Sequence, residues 1–274
     1  MPPTPQTATR SKANARAVSA LKAVSALKAV SALKAVSAQT AKQQMLKTLV
    51  CSDAPEQALR YRGARCIAGV DEVGRGALFG PVVAAAVILP EDVRVLAEAG
   101  LKDSKQMQRE DRERLAGQIR GMALAVAVAE VDAETIDRVN IYQATRIAML
   151  LAVRGLEMEP DHLLIDAMLI DHPCAQTKLI YGDALSLSIA AASVIAKVYR
   201  DAMMCEMDAV YPAYGLASHK GYGTPMHRRA LTEHGPTPLH RRSFAPVAAM
   251  EAQELPMELL FAEGDVLFDD LEAN

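Results

Sequence analysis

The sequence predicts an α/β or α+β fold, with strands followed by helices around one sheet, and three observations carry this. Between Arg65 and Val247, short β-branched apolar runs bounded by Gly or Pro alternate with long stretches of helical periodicity. Apolar residues make up 51% of the 274, but aromatics only 4%, with no tryptophan, so Ala, Val, Leu, Ile and Met must fill the core. The longest uninterrupted apolar runs, Val82 to Leu89 and Met122 to Ala129, have eight residues each. A transmembrane helix needs about 20, so a spanning segment is excluded.

The first strand is RCIAGVDEV and the second lies in GPVVAAAVIL. The short GRGALFG between them predicts an antiparallel hairpin, because parallel neighbours need a dozen or more connecting residues. A third strand, ALAVAVAEV, is apolar without alternation and is expected to be buried on both faces. Asp132 to Met158 reads as one helix capped by Asp132, with Ile136, Val139, Ala144, Ile147 and Leu151 near helical spacing. HLLID and TKLIYG follow as short strands around a Pro-containing loop, and Leu187 to Val210 is a second long helix. From Tyr211 on, repeated prolines and glycines predict a small extension of loops and short helices.

The ends differ from this body. The formal net charge of −3 sums three unlike parts: +8 over residues 1–52, −3 over 53–250 and −8 over 251–274. From Ala17 the sextet AVSALK repeats three times. Six residues advance 240° around a helix, so Val18, Val24 and Val30 share no face and form no coiled-coil seam. Residues 1–60 are therefore expected to be a mobile basic arm. An inert tail, a phosphate-binding arm, a transit peptide, or docking onto the acidic tail all fit its composition. The expected catalytic domain covers 61–210, the extension 211–250 and the acidic tail 251–274. Cys51, Cys66, Cys174 and Cys205 have no zinc or disulfide-framework spacing and suit a reducing cytoplasm.

Chemistry concentrates at VDEVGRG. Asp71 and Glu72 stand between apolar strand residues, on opposite faces, where a buried sheet disfavours charge, and a hard cation such as Mg²⁺ would stabilise them. The alternative is an acid in a hydrogen-bonded turn. Gly74, Arg75 and Gly76 offer close backbone approach and donors for phosphate. A dinucleotide loop does not fit, since Pro81 and a strand follow where a helix is required. Asp166 and Asp183 also end apolar runs, and with Asp71 and Glu72 they could hold two Mg²⁺ for in-line phosphoryl displacement. Spacing leaves Asp161, Asp171 and Asp201 as competitors. His219 to Arg242 holds five Lys/Arg, four histidines and one acid, Glu233, a pattern suited to nucleic-acid phosphates or to a solvated face. Tyr222 could stack on a sugar or base. Ser193, Lys197 and Arg200 share one helix face, either exposed or reaching the site, and the DSK stretch Asp103 to Lys105 is equally open.

Together, GVDEVGRG, LKDSKQM, LLIDA, GDALSLSIAAASVIAKVYRD, YGLASHKGYGTPMH and HRRSFAPV resemble the type 2 ribonuclease H family, specifically ribonuclease HII, from about Ala64 to Val247. The resemblance implies an RNase H-like α/β fold, a mixed sheet flanked by helices with a small C-terminal helical extension. It implies catalytic, metal-holding carboxylates at Asp71, Glu72, Asp166 and Asp183 with Mg²⁺ or Mn²⁺. A loop sensing the ribose 2′-OH falls on Gly74, Arg75 and Gly76, and a sugar-stacking tyrosine on Tyr222. Lys105, Ser193, Lys197 and Lys220 join them as substrate-binding residues. The implied activity is cleavage of the RNA strand of RNA–DNA hybrids and nicking 5′ of single ribonucleotides in duplex DNA. The implied protein is a cytoplasmic monomer without membrane contact. Leu259, Leu260 and Phe261 in the tail suit a sliding-clamp contact. A junction-resolvase-type nuclease of the same fold and a non-catalytic nucleic-acid-binding protein are the alternatives. Ala167 stands where the family usually has Gly, and Phe79 where small residues are common.

Overall fold

In the computed structural model, residues 48–102, 104 and 107–254 are described, without the side chains of 251–254. Asp103, Lys105, the sextet repeats and Leu259, Leu260 and Phe261 lie outside the described residues. The compact body starts at Val50, so its beginning falls inside the span read as an arm. Its first helix, α1 (Ala54–Tyr61), has Pro at its start, where the missing N–H costs nothing. α1 buries Leu59 against Ile67, Leu164 and Ile189.

One five-stranded mixed sheet forms the core. β1 (Ile67–Val73) and β2 (Val82–Ile88) make the expected hairpin, with Asp71 opposite Ala85, and β3 (Ala125–Val131) adds antiparallel to β2. On the other side β4 (His162–Asp166) and β5 (Ala175–Leu179) add in parallel, giving the order β3-β2-β1-β4-β5. β3 is thus an edge strand and only partly buried, not covered on both faces. Its unbroken apolar run reflects small alanines, which look like core in sequence but fill little volume.

Two helical layers cover the sheet, and strand alternation decides which residues meet each. Ala68, Val70, Ala84 and Ala86 face α5 (Ile141–Arg154) through Ala144, Ala148, Met149 and Ala152. Val83, Ala85 and Val87 face the opposite layer. That layer is built from α2 (Arg94–Glu98), α3 (Arg109–Met122) and α6 (Leu187–Val210), which was predicted with these bounds. The single helix expected over 132–158 is two, α4 (Ala133–Val139) and α5. Asp132 caps α4 through the Thr135 amide. Asn140 breaks the run at φ 68° and ψ 161°, a backbone region that residues other than glycine seldom occupy, and its side chain then caps α5 by accepting from the amides of Tyr142 and Gln143. At Gly69 the sheet touches α6 directly: a Cβ there would sit 2.1 Å from the carbonyl carbon of Ser188.

The extension holds α7 (Leu216–His219), α8 (Pro225–His234) and α9 (Ala245–Glu254). It shares a core with the β1–β2 connection, where Leu78 and Phe79 pack with Met204, Tyr214, Leu216, Leu231 and Val247. Phe79 is fully buried and meets the His240 ring edge-on at 4.9 Å. Among the described residues no helix is long and apolar enough to cross a membrane.

Candidate active site at the end of the central strands

The last register pair between β1 and β4 is Val70 with Ile165. Asp71 and Asp166, one residue further on, therefore emerge side by side at the strands' C-terminal ends, the usual position of sites in open α/β sheets. Asp71 and Glu72 thus lie near the end of β1. Asp71, Glu72 and Asp166 each offer an oxygen within 4.8 Å of the others.

Asp71 is 3% exposed. Burial pushes its carboxyl well above the usual carboxylate range, and the charges of Glu72, Asp166 and Asp183 push it further, against a hydrogen bond from Ser193 that favours the ionised form. The Glu72 amide donates to Asp71 Oδ1 at 2.8 Å, and Arg75 Nη1 lies 3.4 Å from Glu72 Oε1. Asp166 Oδ1 accepts from the Gly182 amide at 2.7 Å, which joins the end of β4 to the turn Gly182–Ala184. Asp183 sits on that turn rather than at a strand end. It is buried and acts on Asp71 through its charge, but it lies outside the group of three. The pattern missed this because β5 ends at Leu179, two residues before YGDA turns back through Tyr181 at φ 60°.

Ser193 is the member of the α6 face that reaches the acids. Its Oγ lies 2.9 Å from that of Ser104, which ties Ser104 to the helix. Lys197 instead pairs with Asp201 at 2.7 Å on its own helix. Lys220, at φ 54°, turns its ammonium back onto the Ala217 carbonyl. Asp161 accepts from the amides of Arg65 and Cys66, away from the three acids.

Beside the acids, the loop at Gly74, Arg75 and Gly76 is fixed from behind by two buried guanidinium groups. Arg200 donates to the carbonyls of Phe79, Pro81 and Lys220 at 2.8–3.1 Å. Arg241 donates to those of Arg75 and Gly80, both at 2.9 Å. Gly74 stands at φ 91°, and a Cβ there would meet Arg200 Nε at 2.3 Å, so this glycine makes room for the protein's own arginine. Tyr222 is half-buried, bridges Ala77 and lies beside Gly76, whose added Cβ would come 4.0 Å from the ring.

The basic block is not one solvated face. Arg241, His227 and His240 are buried, while Arg228, Arg229 and Arg242 are exposed. The Nε2 atoms of His227 and His240 lie 3.1 Å apart. Burial holds these imidazoles down to about 4 and about 3, respectively. The sequence reading missed Arg241 entirely, for nothing in HRRSF separates its buried arginine from the exposed one. Ala167, next to Asp166, adopts φ 54°.

The family profile described as Ribonuclease HII matches residues 68–247. A ribonuclease HII of Koribacter versatilis is 54% identical over 223 residues, covering 81% of this chain and 87% of that protein. One of Solibacter usitatus is 56% identical over 199 residues, covering 73% and 86%. Among solved structures, ribonuclease H2 from Pyrococcus horikoshii is 25% identical and covers 69% of this chain and 98% of that one, at a TM-score of 0.61. The PCNA:RNase HII complex from Archaeoglobus fulgidus is likewise 25% identical, covering 66% and 95%, at 0.57. Sequence profile, close relatives and shared architecture agree, and the chain belongs to the ribonuclease HII family of metal-dependent endoribonucleases.

Proposed function

We propose that this ribonuclease H, besides cutting the RNA strand of RNA–DNA hybrids, nicks duplex DNA on the 5′ side of single embedded ribonucleotides. In this reading Asp71, Glu72, Asp166 and Asp183 hold two divalent cations, Mg²⁺ or Mn²⁺. The observation that carries it is the convergence of three carboxylate oxygens within 4.8 Å around a buried Asp71 whose neighbours disfavour its ionisation. An all-oxygen, acid-rich donor set fits a hard cation, which would relieve that repulsion. Bound cations supply charge neutralisation and Lewis acidity at the scissile phosphate.

The chain's own residues do the rest. Ser193 and the Gly182 amide orient Asp71 and Asp166. With the Arg75 carbonyl turned toward Arg241, the loop at Gly74, Arg75 and Gly76 keeps donors for the ribose 2′-OH, the one group that separates RNA from DNA at the cut. Tyr222 stacks on the adjoining sugar, and Arg228, Arg229 and Arg242 contact phosphates along the duplex. Lys105, Lys197 and Lys220 complete this surface, the last two by exchanging their internal partners for phosphate. A sliding-clamp contact through Leu259, Leu260 and Phe261 is supported by the archaeal PCNA complex. The deciding experiment maps nicks in a duplex carrying one ribonucleotide, with and without Mg²⁺. Asp71→Asn lowers turnover at least about 100-fold, and wild-type nicking by that variant would refute the assignment. Arg75→Ala lowers turnover on the same duplex, and unchanged kinetics would reject the loop's role.

A further inference from the structure

Helix α1 buries an acid where a short surface helix ordinarily buries an apolar residue. Glu56 is 3% exposed. Its Oε1 accepts from the Ser186 hydroxyl at 2.6 Å and from the Ser188 amide at 2.9 Å. Its Oε2 is buried with no hydrogen-bond partner among the described residues. Burying an unsatisfied carboxyl oxygen costs stability, so folding alone does not call for an acid here.

The groups it contacts lie next to the site. Ser186 is the N-cap of α6, its Oγ accepting from the Ile189 amide at 3.2 Å. The Ser188 amide is one of the first-turn donors that the helix leaves unpaired. The Ser186 amide also donates to Gly182 at 2.8 Å, closing the turn that carries Asp183. Two backbone bonds strengthen the grip: Ser52 N–H donates to Leu185 at 3.2 Å, and Leu187 N–H donates to Ser52 at 3.1 Å. Segment 52–56 thus holds both the exit of the Asp183 turn and the start of the helix whose Ser193 bonds Asp71.

We propose that Glu56 is a positioning residue for the acidic site. Through Ser186 and Ser188 it sets where Asp183 and Ser193 stand relative to Asp71, and with that the affinity for divalent cations. The inference rests on the reading of Asp183 as the fourth carboxylate of the site.

Titrating the full chain with Mn²⁺ alone, following free Mn²⁺ by electron paramagnetic resonance, tests it without reference to turnover. Glu56→Ala weakens Mn²⁺ binding about tenfold, the low end of what residues behind metal ligands contribute. Glu56→Gln, whose Oε1 can still accept, stays within about twofold of wild type by the same reasoning. Wild-type affinity in Glu56→Ala with weakened binding in Asp183→Asn overturns the positioning role and leaves the Asp183 assignment standing. Wild-type affinity in Asp183→Asn overturns that assignment and the inference with it. A Gln variant as weak as Ala overturns hydrogen bonding as the cause. If Glu56→Ala does not fold, Glu56→Asp gives the same readout, with its carboxyl drawn back by one methylene: weakened binding supports the role and unchanged binding overturns it.

Discussion

Ala167 holds a left-handed backbone at φ 54° directly after Asp166, and replacing it with glycine isolates the cost of that conformation. A non-glycine residue in this region gives up about 1–2 kcal/mol. Glycine returns roughly 0.5–1 kcal/mol of this through the greater freedom of the unfolded chain. The Ala167 side chain is exposed, so losing its methyl forfeits almost no burial. The bonds on either side, Ala167 N–H to Leu179 at 2.9 Å and Met168 N–H to Asp166 at 2.7 Å, are backbone bonds that glycine keeps. The balance is a gain of about 0.5–1 kcal/mol, which for a folded unit of about 200 residues raises Tm by roughly 1–4 °C. Urea titration in EDTA measures it: the midpoint rises at unchanged m, and turnover in Mg²⁺ stays within about twofold because no side-chain contact of Asp166 changes. A midpoint lowered at constant m would show that φ 54° carries no strain here.

Gly69→Ala drives a Cβ into the Ser188 backbone at 2.1 Å, and because α6 cannot yield as a side chain does, it costs at least about 3 kcal/mol; a chemical-denaturation loss under 1 kcal/mol would refute the contact. Acid destabilises the protein through His227 and His240. Their depressed folded values, about 4 and about 3, mean that below about pH 6.5 the unfolded chain binds protons the folded chain refuses. Stability is thus present above that pH and is lost on descending toward 4, by up to about 2.7 kcal/mol per pH unit for two protons. The raised Asp71 has the opposite sign, so when both histidines are replaced by glutamine the urea midpoints in EDTA at pH 5, 6 and 7 lose their fall toward acid and rise instead; a fall as steep as in the wild type would refute the histidines' role. Mg²⁺ relieves the repulsion at Asp71 and raises the thermal midpoint, by about 2.7 kcal/mol of stability at 100 times its Kd. Asp71→Asn shrinks that shift, and an equal shift in the variant would place the cation elsewhere.

Much of the fold was legible locally. β1, β2 and α6 were visible because their information lies within neighbouring residues: a β-branched run, a glycine-rich connection too short for a crossover, and a long helical pattern. Elements whose state depends on distant partners were not. β3 was read as buried on both faces, whereas it is only partly buried, since a run of small apolar residues looks alike in a covered strand and in a half-covered one. α1 was absorbed into the arm because eight residues with one large apolar side chain have no pattern of their own until Ile67, Leu164 and Ile189 cover Leu59.

The site divides in the same way. By itself the sequence determined the kind of chemistry, because acids cannot stand in apolar strands without compensation, and it supplied the ordered motifs of the family. Only the tertiary structure decided which acids meet: strand register brings Asp71 and Asp166 together, while Asp183 stands on the turn after β5, outside that group of three. It alone decided that Arg200 and Arg241 face inward as supports for a loop while neighbouring basic residues face solvent. Burial is a property of the whole packed chain, and a charged side chain does not reveal in one dimension whether its partner is water or a carbonyl far along the sequence.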